Sequence, residues 1–373
     1  MPDQRTLTIA ILPGDGIGPQ LAKHAENLLR AIQKTRTHLS FQTKQYPFGG
    51  AALASGHSSA LPNATLSAAK QADAVLVCAC NDPTYGLAPE KALLSLRQEL
   101  EVYANIRPVQ FPSSAVAEAE TSACSGIYKP DAVKDLDIVF FRDLTGGVYY
   151  GARQEGGNGR NAYDTTEYSR GDIERLARIA GRYALQFNPP KMVHSVDKAN
   201  VMATGRLWRS VVSEVFETEF PTVSLDHVLV DNAAAVLARK PTGLNGIVLT
   251  ENLFGDILSD QAGGIVGSDV LASAAVSGLP GKVKGPGVFE PLDLKMKREL
   301  RNPLGIVQAV CLMLDTGLGL GAEADALSKA IRQTLDPIEL IGSDMRTPDL
   351  GGTATPDQFM GKLLSNLEMY LEA

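Results

Sequence analysis

The sequence predicts an α/β fold that is divided into two domains. The chain has 373 residues, which exceeds what one hydrophobic core usually organises. Hydrophobic residues make up 44% of it, and the 35 glycines and 21 prolines indicate a compact, loop-rich protein. Near the N-terminus, a β-rich apolar run is followed by a glycine turn and a helical pattern. Together these observations favour an enzyme-sized α/β protein.

Charge and cysteine usage exclude several functional classes. The formal net charge of −7 and the lack of a long basic run argue against nucleic acid or an anionic membrane as the main partner. The 4 cysteines contain no CxxC pair and no HExxH motif is present, so neither a zinc site nor a disulfide framework is indicated. The apolar run Leu7–Leu12 is too short for a signal sequence, and no transmembrane span stands out. We therefore expect a cytoplasmic protein.

The first strand, turn and helix do not form a Rossmann fingerprint. Residues Thr6–Leu12 read as a strand, Pro13–Pro19 as a turn and Gln20–Gln33 as a helix. The glycine spacing is G-x-G-x-G rather than G-x-G-x-x-G, and no acidic residue ends a second strand at the expected place. Two interpretations of the turn stay open. It is either a tight turn with Pro19 at the first helical position or a phosphate cradle.

The stretch Glu251–Asp260 offers half of a divalent-cation site. It follows the apolar run Gly246–Thr250, so a buried strand passing into a helix at Asn252 places Asp256 and Asp260 on one helical face. Like charges at this spacing favour a counter-ion, and carboxylate oxygens suit Mg²⁺ or Mn²⁺. A solvated acidic face is the alternative.

Three arginines could bind a polycarboxylate. Arg97 lies on an amphipathic helix, Arg107 on the strand that follows, and Arg142 just before a Gly-Gly turn. Guanidinium groups bind carboxylates through two parallel hydrogen bonds, so a site formed by all of them would suit such a substrate. Each arginine could equally be a surface ion-pair partner.

Two further polar side chains fall at the ends of predicted strands. Lys198 follows the run that begins at Met192, and Asp231 follows Val228–Val230. Open α/β sheets bind ligands at this edge, so Asp231 is a candidate third carboxylate. A solvated strand end is the alternative for Lys198. Residues 71–80 are predicted as another buried strand.

Six motifs in this order resemble the isopropylmalate dehydrogenases of the isocitrate/isopropylmalate (β-decarboxylating) dehydrogenase family. The resemblance covers nearly the whole chain, and the ordered set is far more specific than any single motif. The motifs are Pro13–Pro19, Leu93–Arg97, Ala104–Pro108, Leu144–Tyr149, Val196–Val201 and Asn252–Asp260.

The resemblance implies the architecture of that family, an isocitrate/isopropylmalate dehydrogenase-like two-domain fold rather than a Rossmann fold. The first, cofactor-side domain would combine residues 1–103 with 267–373, and the second, 104–266, would carry the metal site and a dimer arm over Thr145–Tyr168. It also implies a homodimer whose shared active site lies in the interdomain cleft. Neither nucleic acid nor membrane is expected as a partner.

The implied activity is NAD-dependent oxidative decarboxylation of a 2-hydroxy dicarboxylate, assisted by Mg²⁺ or Mn²⁺. Carried over position by position, the family roles fall on four groups of residues. Those groups are Tyr149, Lys198 and Asp231 for catalysis; Glu90, Leu93, Leu94, Arg97, Arg107 and Arg142 for the substrate; Asp231, Asp256 and Asp260 for the metal; and Ile17, Glu290 and Asn302 for the cofactor. Lys198 and Asp231 would come from the partner subunit.

Two departures from the family pattern fall on the cofactor side. After Phe289–Pro291, the segment Leu292–Arg301 lacks the family's His-Gly-x-Ala-Pro and is shorter. The run Cys78–Pro83 replaces small glycines that would let a backbone approach the cofactor. We therefore expect NAD affinity below that of ordinary family members.

Three functional interpretations stay open because of these departures. In the first, an NAD-linked dehydrogenase uses Lys295, Lys297 and Arg298 in place of the lost loop. In the second, the metal and arginine site supports a cofactor-independent decarboxylase, isomerase or cyclase. In the third, the protein is a non-catalytic dimeric scaffold, which a complete set of site residues disfavours.

Overall fold

The computed structural model describes residues 4–80, 82–113, 116–117, 127–267, 271–279, 285–292 and 302–372. The chain divides into two compact units. The segment 111–127, which the predicted boundaries place in the second domain, lies with the first unit. The predicted domain division itself stays a prediction. The first unit comprises Met1–Val102, Phe111–Ile127 and Val266–Ala373, and the second comprises Tyr103–Gln110 and Tyr128–Ile265.

The strands are short and, in the core, buried. In the first unit their order is β2-β1-β3-β12-β11, and in the second it is β4-β5-β10-β8-β9. They are β1 (Arg5–Leu12), β2 (Leu39–Gln45), β3 (Ala74–Val77), β4 (Ala104–Gln110), β5 (Asp137–Asp143), β6 (Arg153–Gln154), β7 (Tyr163–Asp164), β8 (Val193–Asp197), β9 (Leu225–Leu229), β10 (Gly246–Thr250), β11 (Ala272–Val276) and β12 (Gly287–Pro291).

Most strand pairs are parallel, and one antiparallel pair occurs within each unit's order. These antiparallel pairs are β11 with β12 and β4 with β5, and the separate ribbon of β6 and β7 is antiparallel as well. Strands β3 and β10 are buried at every position. Such continuous apolar burial is typical of parallel sheets covered by helices on both faces.

The helices carry apolar faces that cover these strands. In the first of them, Leu21, Ala25, Leu28 and Ile32 form a buried stripe at helical spacing. The helices are α1 (Gly18–Thr35), α2 (Gly49–Ala54), α3 (Asn63–Gln71), α4 (Ala88–Glu99), α5 (Pro130–Val133), α6 (Arg170–Ala184), α7 (Ala203–Glu219), α8 (Val230–Arg239), α9 (Asn252–Val266), α10 (Leu304–Leu312), α11 (Gly321–Leu335) and α12 (Pro356–Glu372).

The turn between β1 and α1 packs against its own chain. Pro19 stands in the first helical turn as the second residue of α1, one position later than the tight-turn interpretation places it. The amide of Asp15 donates to the Ala79 carbonyl at 3.2 Å. Gly14 has φ +66°, and a Cβ added there would lie 1.8 Å from that same carbonyl oxygen. Gly14 is therefore needed for close backbone packing at the end of β3.

The strand predicted over residues 71–80 is shorter in the structure. It spans Ala74–Val77, because the chain beyond Cys78 leaves the ladder to meet the β1 to α1 turn. The transition predicted at Asn252 is confirmed, since β10 ends at Thr250 and α9 begins at Asn252. Within the described part of the chain, no helix has the length and apolar character needed to cross a membrane.

We expect Gly14→Ala to destabilise the protein more than Gly16→Ala. Both glycines have positive φ, which costs an alanine about 1 kcal/mol or more. At Gly16 an added Cβ meets no atom within 4 Å, whereas at Gly14 it collides with backbone. Urea unfolding of both variants measures the difference. Equal losses of unfolding free energy would contradict the packing role of Gly14.

Candidate functional site

Strands β4 and β5 bring Arg107 and Arg142 to one face of the second unit's sheet. The two strands are antiparallel, and Asn105 lies opposite Arg142 in their register. Arg107 is two residues further along, so its side chain projects from the same face as that of Arg142. The arginines are 6% and 4% exposed. Guanidinium groups removed from water to this extent require negative partners.

Helix α9 supplies those partners. Arg107 donates to Asp260 Oδ1 at 2.8 Å and to Ser259 Oγ at 2.8 Å, and its Nη2 lies 3.7 Å from Asp256 Oδ1. Arg142 donates to the same Asp256 oxygen. Asp256 and Asp260 therefore lie on one helical face, as their spacing predicts. Two buried arginines act as the counter-ions that this pair of like charges requires.

Asn252 connects Arg142 to the rest of the site. Its Oδ1 accepts from Arg142 Nε at 3.1 Å and from Arg142 Nη2 at 2.8 Å. Its Nδ2 donates to the Gly146 carbonyl at 3.0 Å, and its amide donates to the Tyr168 hydroxyl at 2.9 Å. The side chain is 1% exposed. Asn252 thus fixes the guanidinium of Arg142 against both the turn after β5 and the start of α9.

Glu251 is a buried acidic residue immediately before α9. Glu251 Oε1 accepts from the amide of Phe254 at 2.7 Å, and the Tyr168 hydroxyl donates to Glu251 Oε2 at 3.3 Å. Burial raises the pKa of Glu251, and hydrogen bonds from the helix amides oppose the rise. A Cβ at Gly147, where φ is +77°, would lie 2.7 Å from the Tyr168 hydroxyl. The second glycine of the turn is therefore needed to admit Tyr168.

Tyr149 points its hydroxyl at the same carboxylate that holds Arg142. It donates to Asp256 Oδ2 at 2.8 Å, and the Arg142 guanidinium lies 5.8 Å from its ring centroid. Burial first, and then the hydrogen bond to Asp256, raises the pKa of Tyr149 to about 12. The phenol is therefore protonated at neutral pH and 37% exposed, so it can donate a proton to a ligand.

Lys198 and Asp231 form a separate pair. Lys198 follows β8, and Asp231 stands in the first turn of α8. Lys198 Nζ donates a hydrogen bond to Asp231 Oδ1 at 2.6 Å. The hydrogen bond from Lys198 holds the pKa of Asp231 below its ordinary value. Among the residues that the structure describes, no three His, Cys, Asp or Glu side chains group closely enough to hold a metal ion. One chain therefore does not bring Asp231 together with Asp256 and Asp260.

The remaining predicted substrate residues lie on α4 in the first unit. Arg97, in the last turn of that helix, is 8% exposed and pairs with Glu290 on β12. Glu90 is exposed, Leu93 is half-buried and Leu94 is 39% exposed.

The predicted cofactor residues make internal contacts. Ile17 is the residue before α1, and Glu290 pairs with Arg97. Asn302 donates to Asp349 Oδ2 at 2.7 Å and accepts from the amide of Leu304 at 2.9 Å. The residues Lys295, Lys297 and Arg298, with the rest of the shortened loop over 293–301, lie outside the described residues.

The cysteines of the second departure are held as thiols. Cys78 is 1% exposed, and Cys80 donates to the Pro89 carbonyl at 3.0 Å. Burial raises the pKa of both thiols above the ordinary value. Neither forms a thiolate at neutral pH, so they serve packing rather than nucleophilic chemistry.

The described fold and site define an α/β enzyme in which arginines and carboxylates are placed to meet an acidic ligand. The family described as isocitrate/isopropylmalate dehydrogenase matches residues 8–363. The 3-isopropylmalate dehydrogenase of Zygosaccharomyces rouxii is 41% identical over 355 residues, covering 92% of this chain and 94% of that protein. The enzyme of the same name from Sordaria macrospora is 40% identical, covering 99% of this chain and 100% of that protein.

Solved structures agree with these relatives. An isocitrate dehydrogenase from Methylococcus capsulatus has a TM-score of 0.75 at 25% identity, covering 97% of this chain and 99% of that one. A beta-decarboxylating dehydrogenase from Thermococcus kodakarensis has a TM-score of 0.72 at 28% identity, covering 97% of this chain and 96% of that one. The chain belongs to the isocitrate/isopropylmalate dehydrogenase family and is an oxidoreductase of the isopropylmalate dehydrogenase type. The predicted fold class and family resemblance are confirmed.

We expect Glu251→Gln to make the unfolding free energy of the protein fall less as pH rises. The pKa of Glu251 is raised in the folded protein. Its proton therefore contributes to the unfolding free energy in full below the ordinary pKa, and this contribution is lost as pH rises through the folded pKa. The variant has no such proton. Its unfolding free energy relative to the wild type should rise between about pH 4 and about pH 8. Urea unfolding at both values measures this, with Glu99→Gln on the surface as control. A difference that does not vary with pH would contradict the assignment.

Proposed function

We propose that the protein catalyses the NAD-dependent oxidative decarboxylation of 3-isopropylmalate, assisted by Mg²⁺ or Mn²⁺. The observation that carries this proposal is the pairing of buried Arg107 and Arg142 with Asp256 and Asp260. Guanidinium groups that already bind carboxylates through hydrogen bonds are suited to the carboxylates of a malate. The relatives from Zygosaccharomyces rouxii and Sordaria macrospora carry the name of this activity.

The donor set of α9 fits a hard divalent cation. Asp256 and Asp260 present oxygens from one face, and their side chains are 33% and 45% exposed, so a cation can reach them. They would hold the metal together with the partner subunit's Asp231. A divalent cation, when bound, lowers the pKa of the substrate's 2-hydroxyl and polarises the carbonyl that forms from it. Carboxylates bound to a cation would compete less for Arg107 and Arg142, which could then bind the substrate.

The protons of the reaction are assigned to this chain's own groups. Lys198, which pairs with Asp231, would first lose its ammonium proton to solvent and would then, as the neutral amine, receive the proton of the 2-hydroxyl. The β-carboxylate leaves as CO₂ when its bond to C3 breaks, and the electron pair stays on the enol. Tyr149, protonated at neutral pH, would then donate its proton to C3. Leu93 and Leu94, with Glu90 nearby in sequence, would meet the isopropyl group and set specificity.

NAD is proposed from family membership. It would accept the hydride from C2 of the substrate. Among the described residues, Gly16 is a backbone position with no atom near an added Cβ, and Ile17 follows it at the start of α1. In contrast, Glu290 Oε1 and both polar atoms of the Asn302 side chain bind internal partners. These residues alone do not form a dinucleotide cradle, so we assign them no step beyond contact with the cofactor.

The direct test is to measure NADH formation and CO₂ release from 3-isopropylmalate with NAD⁺ and Mg²⁺. We expect both products in equal amounts, and no activity after chelation of the metal. CO₂ without NADH would replace the proposal by the non-redox interpretation. Binding of neither NAD⁺ nor substrate in calorimetry would leave the scaffold interpretation. Comparison with malate and isocitrate as substrates tests the assignment of Leu93 and Leu94.

We expect Asp256→Asn and Asp260→Asn each to abolish metal-dependent activity without unfolding the protein. An amide retains one oxygen but loses the charge that a hard cation needs. The amide oxygen can still accept from Arg107 or Arg142, which limits the loss of stability. Activity is measured across a titration of Mg²⁺ and of Mn²⁺, and folding by circular dichroism. Asp325→Asn, at an exposed residue that pairs with Lys329, is the control. Wild-type activity in both variants would return the pair to a purely structural role.

We also propose a homodimer in which Lys198 and Asp231 complete the partner's site, with the Thr145–Tyr168 segment as the dimer arm. The exposed β6 and β7 ribbon within that segment gives it a surface for such a contact. Mixing Lys198→Ala chains with Asp260→Asn chains should restore activity, because each mixed dimer has one intact site. Random exchange predicts recovery of about a quarter of wild-type activity. No recovery, or a monomer in sedimentation at micromolar concentration, would exclude the shared site.

A further inference from the structure

Arg97 and Glu290 form a buried ion pair in the first unit. Arg97 lies in the last turn of α4 and Glu290 lies on β12, and each side chain is 10% exposed. The Arg97 Nη2 donates to Glu290 Oε1, and the Ser273 hydroxyl donates to the same oxygen at 3.3 Å. A buried guanidinium costs several kcal/mol of desolvation unless a negative group meets it. Glu290 therefore satisfies Arg97 in the absence of any ligand.

The partner of Arg97 differs in kind from the partners of the other two arginines. Arg107 and Arg142 pair with Asp260 and Asp256, which are proposed metal ligands. A bound cation would compete with those arginines for the carboxylates and so release them. Glu290 is not among the proposed metal ligands, and metal binding gives it no reason to leave. Only a competing carboxylate can take its place on Arg97.

The surroundings of the pair make that exchange costly. Glu290 is 8% exposed, and the Ser273 hydroxyl that donates to its Oε1 carries no charge. If Arg97 turned to a ligand, Glu290 would remain buried without its counter-ion. The free-energy cost of leaving Glu290 without its counter-ion would make the binding free energy of the ligand less favourable.

We propose that Glu290 is a positioning residue that occupies Arg97 in the empty enzyme and is displaced from it by a carboxylate of the substrate. This inference rests on the proposed function, because it takes Arg97 to be a substrate ligand. Glu290 would hold the guanidinium in place on α4 and would weaken substrate binding through competition. It would also favour ligands whose carboxylate is placed to replace its own. A neutral ligand of the same shape could not displace it.

The first test compares Glu290→Gln with the wild type in calorimetric titrations of 3-isopropylmalate and of malate, with Mg²⁺ and without NAD⁺. The glutamine keeps the size of the side chain and an acceptor oxygen but loses the competing charge. We expect both dicarboxylates to bind about tenfold more tightly to the variant. Glu99→Gln, on the same helix as Arg97 but exposed and paired with Lys70, should leave the affinity unchanged. Unchanged or weaker binding to Glu290→Gln overturns the proposal.

A double-mutant cycle separates displacement from a general structural effect. In an Arg97→Gln background, the change Glu290→Gln should have no effect on affinity, because no guanidinium is left to compete for. The same tightening in both backgrounds would show that Glu290 acts by another route and would overturn the proposal. If Glu290→Gln does not fold, Ser273→Ala takes its place. It removes the bond that holds Glu290 Oε1 and should tighten binding about two- to threefold.

The outcomes also distinguish this inference from the proposed function. Tighter binding of malate to Glu290→Gln, with no turnover of 3-isopropylmalate by the wild type, supports the role of Glu290 and overturns the proposed substrate. Normal turnover by the wild type, with no tightening in the variant, supports the proposed function and overturns the role of Glu290.

Discussion

The second unit's site depends on one constraint, the need to neutralise two arginines that strands β4 and β5 bury in its sheet. A guanidinium at 4% or 6% exposure is unfavourable without a negative partner. Asp256 and Asp260 meet this need because they stand four positions apart in one helix and so share a face. A shift of α9 by one residue would rotate both carboxylates away. The electrostatic pairing therefore fixes the position of the helix as firmly as apolar packing does.

The elements around the pairing follow from it. Asn252 must stand at the first residue of α9 so that its amide oxygen can accept from Arg142. That placement leaves the helix amides to be satisfied by Glu251, and Glu251 in turn needs the hydroxyl of Tyr168. Tyr168 reaches this position because Gly146 and Gly147 leave space for it. Tyr149 is then held two residues beyond Gly147, with its hydroxyl on Asp256. A chain of local requirements thus places the proposed proton donor beside the proposed metal ligands.

Local pattern was sufficient to predict part of this arrangement. The transition from strand to helix at Asn252 and the shared face of Asp256 and Asp260 follow from helical and strand periods alone. The partners of those carboxylates could not be predicted in the same way, because they depend on the pairing of β4 with β5. Arg142 and Asp256 are 114 residues apart in sequence, and Tyr168 and Glu251 are 83 apart. No local signal joins residues at such separations.

The sequence does not distinguish Glu251 and Asn252 for a related reason. Both lie in the same stretch as Asp256, but an acid and an amide at the start of a helix usually signify capping. Their burial, at 7% and 1% exposure, is what separates them from ordinary caps. The end of the strand predicted over 71–80 was misplaced because its apolar run continues to Cys80, whereas the ladder stops where the chain must approach Gly14. Packing between distant segments decides such endings, and the apolar pattern does not encode it.

Arginines that bind carboxylates of their own chain need not be poor ligands for a substrate. In water each guanidinium would be hydrated, and a substrate would have to remove that water. Here the guanidinium groups are buried and held by carboxylates of the same chain, so binding of the proposed substrate would exchange one carboxylate for another. The affinity is then a difference between two similar interactions, which a bound cation at Asp256 and Asp260 would shift in favour of the substrate. Such an exchange keeps binding weak for a single carboxylate and strengthens it only when cation and substrate act together. In the proposed function, selection of a metal-chelating dicarboxylate over other acids would follow from the same pairing that stabilises the fold.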